Sequence, residues 1–143
     1  MMRIALSAAA ILLAASAASA ADLIDPTDAH AQAQAGETLI IDVRTPQEWE
    51  QTGVPPGAFG VNLYDPGGPT GFLRKVMATV GDNLDQPVAL ICRTGRRSAH
   101  AAQLLESAGF TNVADVAGGV AGASRDAPGW AARGLPLEPC AAC

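Results

Sequence analysis

Positive charge, cysteine and long apolar runs are all scarce in this sequence. Lysine and arginine supply 9 of the 143 residues against 14 aspartates and glutamates, and the formal net charge is −5 at pH 7. This acidic balance argues against nucleic acid or an acidic membrane surface as a partner. Only three cysteines are present, so they cannot all pair with one another and at least one thiol stays free.

The apolar run near the N-terminus is too short to cross a membrane. It extends from Ile4 to Ala15 and is mostly alanine, whereas a spanning helix needs about 20 apolar residues. Arg3 precedes the run and Ala18-Ser19-Ala20 follows it, which is the pattern of a cleavable export signal. We therefore predict a signal peptide over residues 1–20, cleaved after Ala20, and a periplasmic or secreted protein with no membrane attachment after cleavage. Such a compartment is oxidising.

A short strand, a turn and a helix follow one another around Cys92. Residues 88–91 are apolar and come directly after a proline, which is typical of a buried parallel strand. Residues 98–108 place apolar side chains at helical spacing, and Gly109 is a good helix stop. Cys92 therefore lies before a helix N-terminus, where peptide N–H groups and the helix dipole attract an anion.

Three arginines share the turn that contains this cysteine. Arg93, Arg96 and Arg97 all lie within five residues of Cys92. Structural cysteines usually have apolar surroundings, whereas neighbouring cations and a helix N-terminus favour the thiolate, which is the nucleophilic form. The sequence therefore predicts an active site for an anionic substrate, with Cys92 as its nucleophile.

The rest of the chain alternates strands with helices. Strands are predicted over residues 38–43, 59–63, 88–91 and 112–116, and helices over residues 26–35, about 71–80 and 98–108. Another helix is predicted from Pro46, where Thr45 and Glu48 form a capping box. This alternation indicates an α/β fold with a parallel sheet. Ligands of such sheets bind at the carboxyl ends of the strands, where Cys92 lies.

Several motifs resemble those of the rhodanese family of sulfurtransferases. Residues 92–98, read as C-R-x-G-x-R-S, resemble the active-site loop of that family. The supporting matches are its first strand-to-helix signature, its second strand and its Gly-Gly turn, at residues 41–49, 56–63 and 116–119. The match covers nearly all of residues 22–139. It implies one rhodanese-like domain within residues 21–143, with a parallel central sheet of about five strands and helices on both faces.

The resemblance also implies a chemistry for Cys92. Its thiolate would attack the outer sulfur of a donor such as thiosulfate and carry that sulfur as a persulfide to a thiol, cyanide or another acceptor. No metal or organic cofactor is expected. The expected partners are a small anionic sulfur donor and a thiol acceptor, which includes a protein acceptor, and the protein is expected to be a monomer.

The resemblance implies that the residues after Cys92 bind the substrate. Arg93 and Arg97 would bind the sulfonate of the donor, because bidentate guanidinium contacts suit that group. Arg96 would set the potential at the mouth of the site. The peptide N–H groups of residues 93–97 would hold the persulfide. Thr94 and Gly95 would let the turn close, and Ser98 would cap the helix.

Two other interpretations use the same loop. A persulfide carrier or redox module would hand sulfur to one protein partner with little turnover on small molecules. A cysteine-loop phosphatase or arsenate reductase would need an arginine six residues after the cysteine. That position is Ser98 here, and Arg97 comes one residue earlier, which in these families favours sulfur over a phosphoryl group.

Polar residues outside the loop are interpreted as structural. Asp42 and Arg44 lie at a strand end, where such pairs fix neighbouring loops by charge-assisted hydrogen bonds. An alternative role for Asp42 is to orient one of the arginines of the cysteine loop. Residues 121–129 are expected beside the active-site loop, either to shape access or as a surface loop. Trp130 is expected in the core, and His100 on a solvated helix face.

The tail ends in Cys140-Ala141-Ala142-Cys143. This C-x-x-C lacks the further ligands that zinc needs. Two interpretations stay open: a passive disulfide formed in an oxidising compartment, or a redox-active pair that serves Cys92 by accepting its sulfur or resolving its oxidised forms. Residues 135–139 are expected to form an extended linker that moves.

Overall fold

The central sheet has five parallel strands in a computed structural model that describes residues 20–143. The strands are β1 (Asp22–Ile24), β2 (Leu39–Asp42), β3 (Phe59–Gly60), β4 (Val88–Ile91) and β5 (Val113–Val116). Their order across the sheet is β1-β5-β4-β2-β3. The strand that leads to Cys92 is thus the central one. The predicted signal peptide lies outside the described residues, apart from Ala20.

In residues 20–143, four α-helices connect the strands and one short 3₁₀ helix follows the last strand. They are α1 (Pro26–Gln34), α2 (Pro46–Thr52), α3 (Gly68–Val80), α4 (Arg96–Ser107) and the 3₁₀ helix Ala131–Arg133. Within residues 20–143, none of these helices has the length and apolar character to cross a membrane.

The sheet separates two apolar clusters, as expected for parallel strands covered on both faces. One cluster joins α3 and α4 to the sheet and includes Phe72, Leu90, Cys92 and Leu105. The other joins α1 and α2 to the opposite face and includes Ala29, Ile40, Trp49 and Trp130. Trp130 is fully buried. The predicted fold, a single α/β domain with helices on both faces of a parallel sheet, is confirmed.

The boundaries of several elements differ from the sequence-based expectation. The sequence indicated no strand at β1, because three residues are too few for a periodic pattern and Leu23 in its centre is 73% exposed. The regular ladder of β3 ends at Gly60, three residues earlier than predicted. Hydrogen bonds from the N–H groups of Val61 and Leu63 to the carbonyls of Asp42 and Val43 nevertheless continue the contact.

Predicted caps begin the first two helices. The carboxylate of Asp25 accepts from the N–H of Thr27 at 2.8 Å. Thr45 and Glu48 form the complete capping box at the start of α2. The later helices both begin earlier than predicted, α3 at Gly68 and α4 at Arg96.

Asp42 and Arg44 form a buried ion pair that holds α2. The Arg44 guanidinium donates to both carboxylate oxygens of Asp42, and to the Thr52 hydroxyl and the Gly53 carbonyl at the far end of that helix. Both charged side chains are at most 2% exposed. Their structural interpretation is confirmed. Asp42 is bound to Arg44 and not to an arginine of the cysteine loop.

The Gly118-Gly119 turn packs against the backbone of the cysteine loop. The N–H groups of Val120 and Ala121 donate to the carbonyls of Cys92 and Arg93, both at 2.8 Å. Gly119 has a φ of +59°, and a Cβ atom there would meet the Cys92 carbonyl oxygen and lie 2.7 Å from the carbonyl carbon of Arg93. No side chain fits at this position without moving the active-site backbone.

We therefore expect Gly119→Ala to destabilise the fold more than a glycine substitution at an open position with a similar φ. Gly134, with a φ of +70° and no atom within 4 Å of the added Cβ, is the matched control. Gly134→Ala should cost about 1 kcal/mol, and Gly119→Ala about 1–3 kcal/mol more, because it overpacks the loop. Denaturant unfolding measures both, and equal losses would contradict the close-approach explanation.

Candidate active site

Cys92 lies directly after the central strand β4, and its sulfur accepts two hydrogen bonds. The peptide N–H of Gly95 donates to Sγ at 3.0 Å, and the Ser98 hydroxyl donates to it at 3.3 Å. Cys92 is the free cysteine among the described residues and is 1% exposed. The buried sulfur of Cys92 therefore has hydrogen-bond donors around it, and such donors suit a sulfur anion.

The turn between Cys92 and α4 owes its shape to Gly95. This residue is the N-cap of α4 and has a φ of +105°, which favours glycine. The prediction that Ser98 caps the helix is wrong: the helix begins at Arg96 without a side-chain cap, and Ser98 lies within its first turn. Its buried hydroxyl lies instead within hydrogen-bonding distance of Cys92 Sγ and of the Gly95 carbonyl.

Two of the loop arginines are exposed and unpaired. The side chains of Arg93 and Arg96 make no hydrogen bond or ion pair with any residue of the range 20–143. Arg96 lines an open cavity of about 510 Å³ at the loop. It is lined by Thr94, Gly95, Arg96, Ala99 and Ala123. Both guanidinium groups are therefore free to meet an anion at the mouth of the loop.

Arg97 is bound to an acidic residue of another helix. Its two terminal nitrogens donate to the two carboxylate oxygens of Glu48, at 2.7 and 2.6 Å. The two side chains are 20% and 22% exposed. The sequence-based prediction placed Arg97 on the sulfonate of the donor. The structure places its guanidinium in a bidentate ion pair that joins α4 to α2, so only part of its donor capacity remains for a ligand.

Glu48 is the site residue that the sequence-based analysis missed. The Arg97 guanidinium lowers the pKa of Glu48 from 4.5 to about 2, with help from the N–H and hydroxyl of Thr45. A signal was present, because Glu48 belongs to the capping box just after β2 and β2 neighbours β4 in the sheet. The carboxyl ends of adjacent parallel strands meet at one edge, so a charge there faces the cysteine loop.

The segment after the Gly-Gly turn lies beside the cysteine loop, as predicted. Ala121 binds the Arg93 carbonyl, and Ala123 lines the same cavity as Thr94 and Arg96. His100 is exposed on α4. Within residues 20–143 no group of three or more His, Cys, Asp or Glu side chains is arranged to hold a metal ion.

The tail is bound to the edge of the sheet, and the expectation of a mobile linker is wrong. Val54 and Glu138 exchange two backbone hydrogen bonds, and the N–H of Gly60 donates to the Ala142 carbonyl at 3.0 Å. Cys140 and Cys143 form a disulfide with a Cα–Cα distance of 5.7 Å. Cys143 packs against Gly60, and Trp49 lies on the same side of that glycine. Trp49 and Cys140 belong to the apolar cluster on the face opposite Cys92.

Comparison with a family model identifies the family of this chain. A family model described as "Rhodanese-like domain" matches residues 25–126. A solved structure of an M. tuberculosis protein superimposes with a TM-score of 0.66 at 29% identity, over 85% of this chain and 100% of the other. The polysulfide-sulfur transferase homodimer of Wolinella succinogenes gives a TM-score of 0.63 at 25% identity, over 85% of this chain and 80% of the other.

A third structure carries a different functional suggestion. It is a protein of unknown function from Rhodopseudomonas palustris, named as a possible tyrosine phosphatase. It has a TM-score of 0.60 and 29% identity, over 82% of this chain and 85% of the other.

The ion pair between Glu48 and Arg97 should be measurable as a coupling in unfolding experiments. In a double-mutant cycle of Glu48→Gln and Arg97→Met, we expect a coupling of about 1–2 kcal/mol at pH 7. The pKa of Glu48 is lowered by folding, so this contribution is complete above 4.5 and is lost as the pH falls towards about 2. The exposed Arg96, as Arg96→Met, is the control. An equal coupling of Glu48 to Arg96, or one that persists unchanged into acid, would contradict the assignment.

Proposed function

Because the chain belongs to the rhodanese-like domain family, we propose that it is a sulfurtransferase that moves a sulfane sulfur from a donor such as thiosulfate to a thiol or cyanide acceptor. The observation that carries this proposal is the environment of Cys92 Sγ. The Gly95 N–H and the Ser98 hydroxyl both donate to this sulfur, at the N-terminus of a 12-residue helix. Two donors and a helix dipole stabilise a sulfur anion in the same place.

The proposed reaction has two displacement steps. The Cys92 thiolate attacks the outer sulfur of thiosulfate, a new S–S bond forms, and the old S–S bond breaks with its electron pair leaving as sulfite. Cys92 then carries a persulfide anion. In the second step cyanide or a thiolate attacks the outer sulfur, which leaves with the acceptor, and the electron pair of the broken bond restores the Cys92 thiolate. No external oxidant or reductant is required in either step.

The free arginines supply the attraction for the donor. Arg93 and Arg96 are both exposed on the loop, and Arg96 lines its cavity. A guanidinium binds a sulfonate through two parallel hydrogen bonds. We propose that these two side chains make the first contact with the donor. Arg97 keeps the orientation of the loop through Glu48 and contributes its charge to the site from there.

A phosphatase is the less favoured reading of the same loop. The similarity to a protein named as a possible tyrosine phosphatase is the observation on its side. Against it, the last arginine of the loop is one residue early for that chemistry, and both terminal nitrogens of Arg97 are bound to Glu48. Hydrolysis of an aryl phosphate at a rate comparable to sulfur transfer would favour the phosphatase.

A persulfide carrier is the other alternative, since its loop would be the same. Initial rates with thiosulfate and several acceptors, at defined concentrations, separate the two. Saturable turnover with small acceptors supports the enzyme. A single sulfur load that leaves only in the presence of a protein acceptor supports the carrier.

We further propose that the protein acts in the periplasm or outside the cell, and that after cleavage of the signal peptide it is a monomer that binds neither nucleic acid nor membrane. The support is the predicted signal peptide over residues 1–20 and the net charge of −5. Fractionation of the producing cells and the molecular mass in solution test these two points.

The central experiment is the replacement of Cys92 and the detection of the persulfide. On incubation with thiosulfate, the mass of the reduced protein should rise by one sulfur atom on the peptide that contains Cys92, and cyanide should reverse the change. Cys92→Ser should abolish transfer without unfolding, because the hydroxyl is nearly isosteric but far less acidic. Sulfur found on Cys140 or Cys143, with Cys92 unmodified, would move the site.

The tail cysteines give a separate prediction. Cys143 is exposed and Cys140 is half-buried, so a thiol can reach the disulfide and exchange with it. We propose that the pair protects or unloads Cys92. The double variant Cys140→Ser with Cys143→Ser should still form the Cys92 persulfide in a single turnover. It should lose activity faster in mild peroxide, or turn over more slowly with dithiol acceptors. Behaviour like the wild type in both assays would identify a passive disulfide.

A further inference from the structure

A cavity of about 530 Å³ lies between helix α2 and the tail. Cavities of this size are typical of sites for small molecules. The residues that line it include, from α2 and from the tail, Pro46, Trp49, Glu50, Glu138, Cys140 and Cys143. Both cysteines of the tail disulfide therefore border a space that a small ligand can enter.

Hydrogen bonds fix the walls of this cavity. Val54 and Glu138 exchange backbone hydrogen bonds of 2.8 and 2.9 Å, and the Glu138 carboxylate accepts from the N–H of Gly57 at 2.9 Å. Gly53 also lines the cavity, and a Cβ atom there would lie 2.7 Å from the Glu138 carbonyl oxygen. The tail is thus packed closely against the end of α2. A ligand meets a cavity that is already formed, so its binding does not have to order the chain.

The charge at the cavity is negative. Glu50 and Glu138 are exposed, and among the described residues no lysine or arginine lines the cavity. Arg44 binds the carbonyl of Gly53, but its guanidinium is buried and neutralised by Asp42. A cleft lined by charge of one sign concentrates ligands of the opposite sign. The cavity should therefore attract cations and repel anions.

The tail disulfide can exchange with a thiol that enters this cavity. Cys143 is exposed and Cys140 is half-buried, so Cys143 Sγ is the sulfur for a thiolate to attack. A bond forms between the ligand sulfur and Cys143, the bond between the two cysteines breaks, and its electron pair leaves on Cys140 as a thiolate. A second ligand thiolate attacks the ligand sulfur of this mixed disulfide and releases Cys143. Two ligand thiols are thereby oxidised to a disulfide, and their protons balance the two protein thiolates.

We propose that this cavity binds a small thiol that carries positive charge beside its sulfur, and that such a thiol is the reductant of the tail disulfide. The charge preference is opposite to that of the cysteine loop, where Arg93 and Arg96 are free to meet an anion. The inference deepens the role proposed for the tail, because it names the class of thiol that reopens the disulfide. The exchange itself does not depend on sulfur transfer at Cys92.

Three thiols with the same two-carbon spacer test the charge preference. Cysteamine is cationic, 2-mercaptoethanol is neutral and 2-mercaptoethanesulfonate is anionic. The protein is the Cys92→Ser variant with its tail disulfide formed, so the disulfide holds its only cysteines. Alkylation and mass measurement count the thiols that appear with time. Each rate is divided by the rate of the same thiol with a small neutral disulfide, which removes differences in intrinsic thiol reactivity.

The normalised rate at low ionic strength should be about tenfold higher for cysteamine than for the sulfonate, with 2-mercaptoethanol between them. High salt should reduce this ratio. Glu50→Gln with Glu138→Gln should lower it to about twofold, and glutamine at position 138 keeps an oxygen that can accept from Gly57. The matched control is Glu37→Gln with Asp126→Asn. It removes the same number of exposed carboxylates away from the cavity and should leave most of the preference in place.

Equal normalised rates for the three thiols would overturn the inference. So would a control variant that loses the preference as fully as the cavity variant, because the net charge of the protein would then be its cause. If the variant at Glu138 releases the tail, Glu50→Gln alone decides the test and should still lower the ratio. These measurements omit the Cys92 thiol. Loss of the charge preference therefore leaves the sulfurtransferase proposal standing, and failure to form a persulfide at Cys92 leaves this inference standing.

Discussion

The active site depends on backbone hydrogen bonds between the turn that follows β5 and the loop that contains Cys92. The amides of Val120 and Ala121 bind the carbonyls of Cys92 and Arg93 from behind. These bonds hold the two carbonyls away from the sulfur, and the Gly95 N–H points at the sulfur. Successive N–H groups of a turn form a concavity for an anion. The close approach explains Gly119, whose position has no room for a side chain. The turn after the last strand thus supports the site although it provides none of the residues of the cysteine loop.

Helix α2 links this loop to the rest of the fold through charge. A helix of seven residues has little stability of its own, and bonds to arginine side chains hold it at both ends. The Arg44 guanidinium donates to Thr52 and Gly53 at the far end, and Asp42 neutralises the charge of Arg44 in the core. Glu48, at the near end, binds Arg97. In the buried pair, Arg44 donates hydrogen bonds to four oxygen atoms, which compensates the cost of removing the charges from water. The partly exposed pair, Glu48 with Arg97, joins the helix to the cysteine loop.

The tail resolves a general problem of open sheets. Strand β3 is at the edge and is only two residues long, and an uncovered edge invites pairing with other chains. The backbone of Ala142 accepts from Gly60, and Glu138 pairs with Val54 beside it. The disulfide lies within this covering segment. The exposed Cys143 and the protection of the edge therefore belong to the same short stretch of chain.

The sequence by itself determined the fold class, the strand-turn-helix around Cys92 and the caps at Asp25 and Thr45, because these features depend on residues close together in the chain. It also indicated a local concentration of arginine. Only the tertiary structure decided which arginines stay free, since the partner of Arg97 is 49 positions away at Glu48. The same holds for the strand β1 and for the docked tail. Each of these depends on how distant segments meet across the sheet, and local pattern carries no information about such distances.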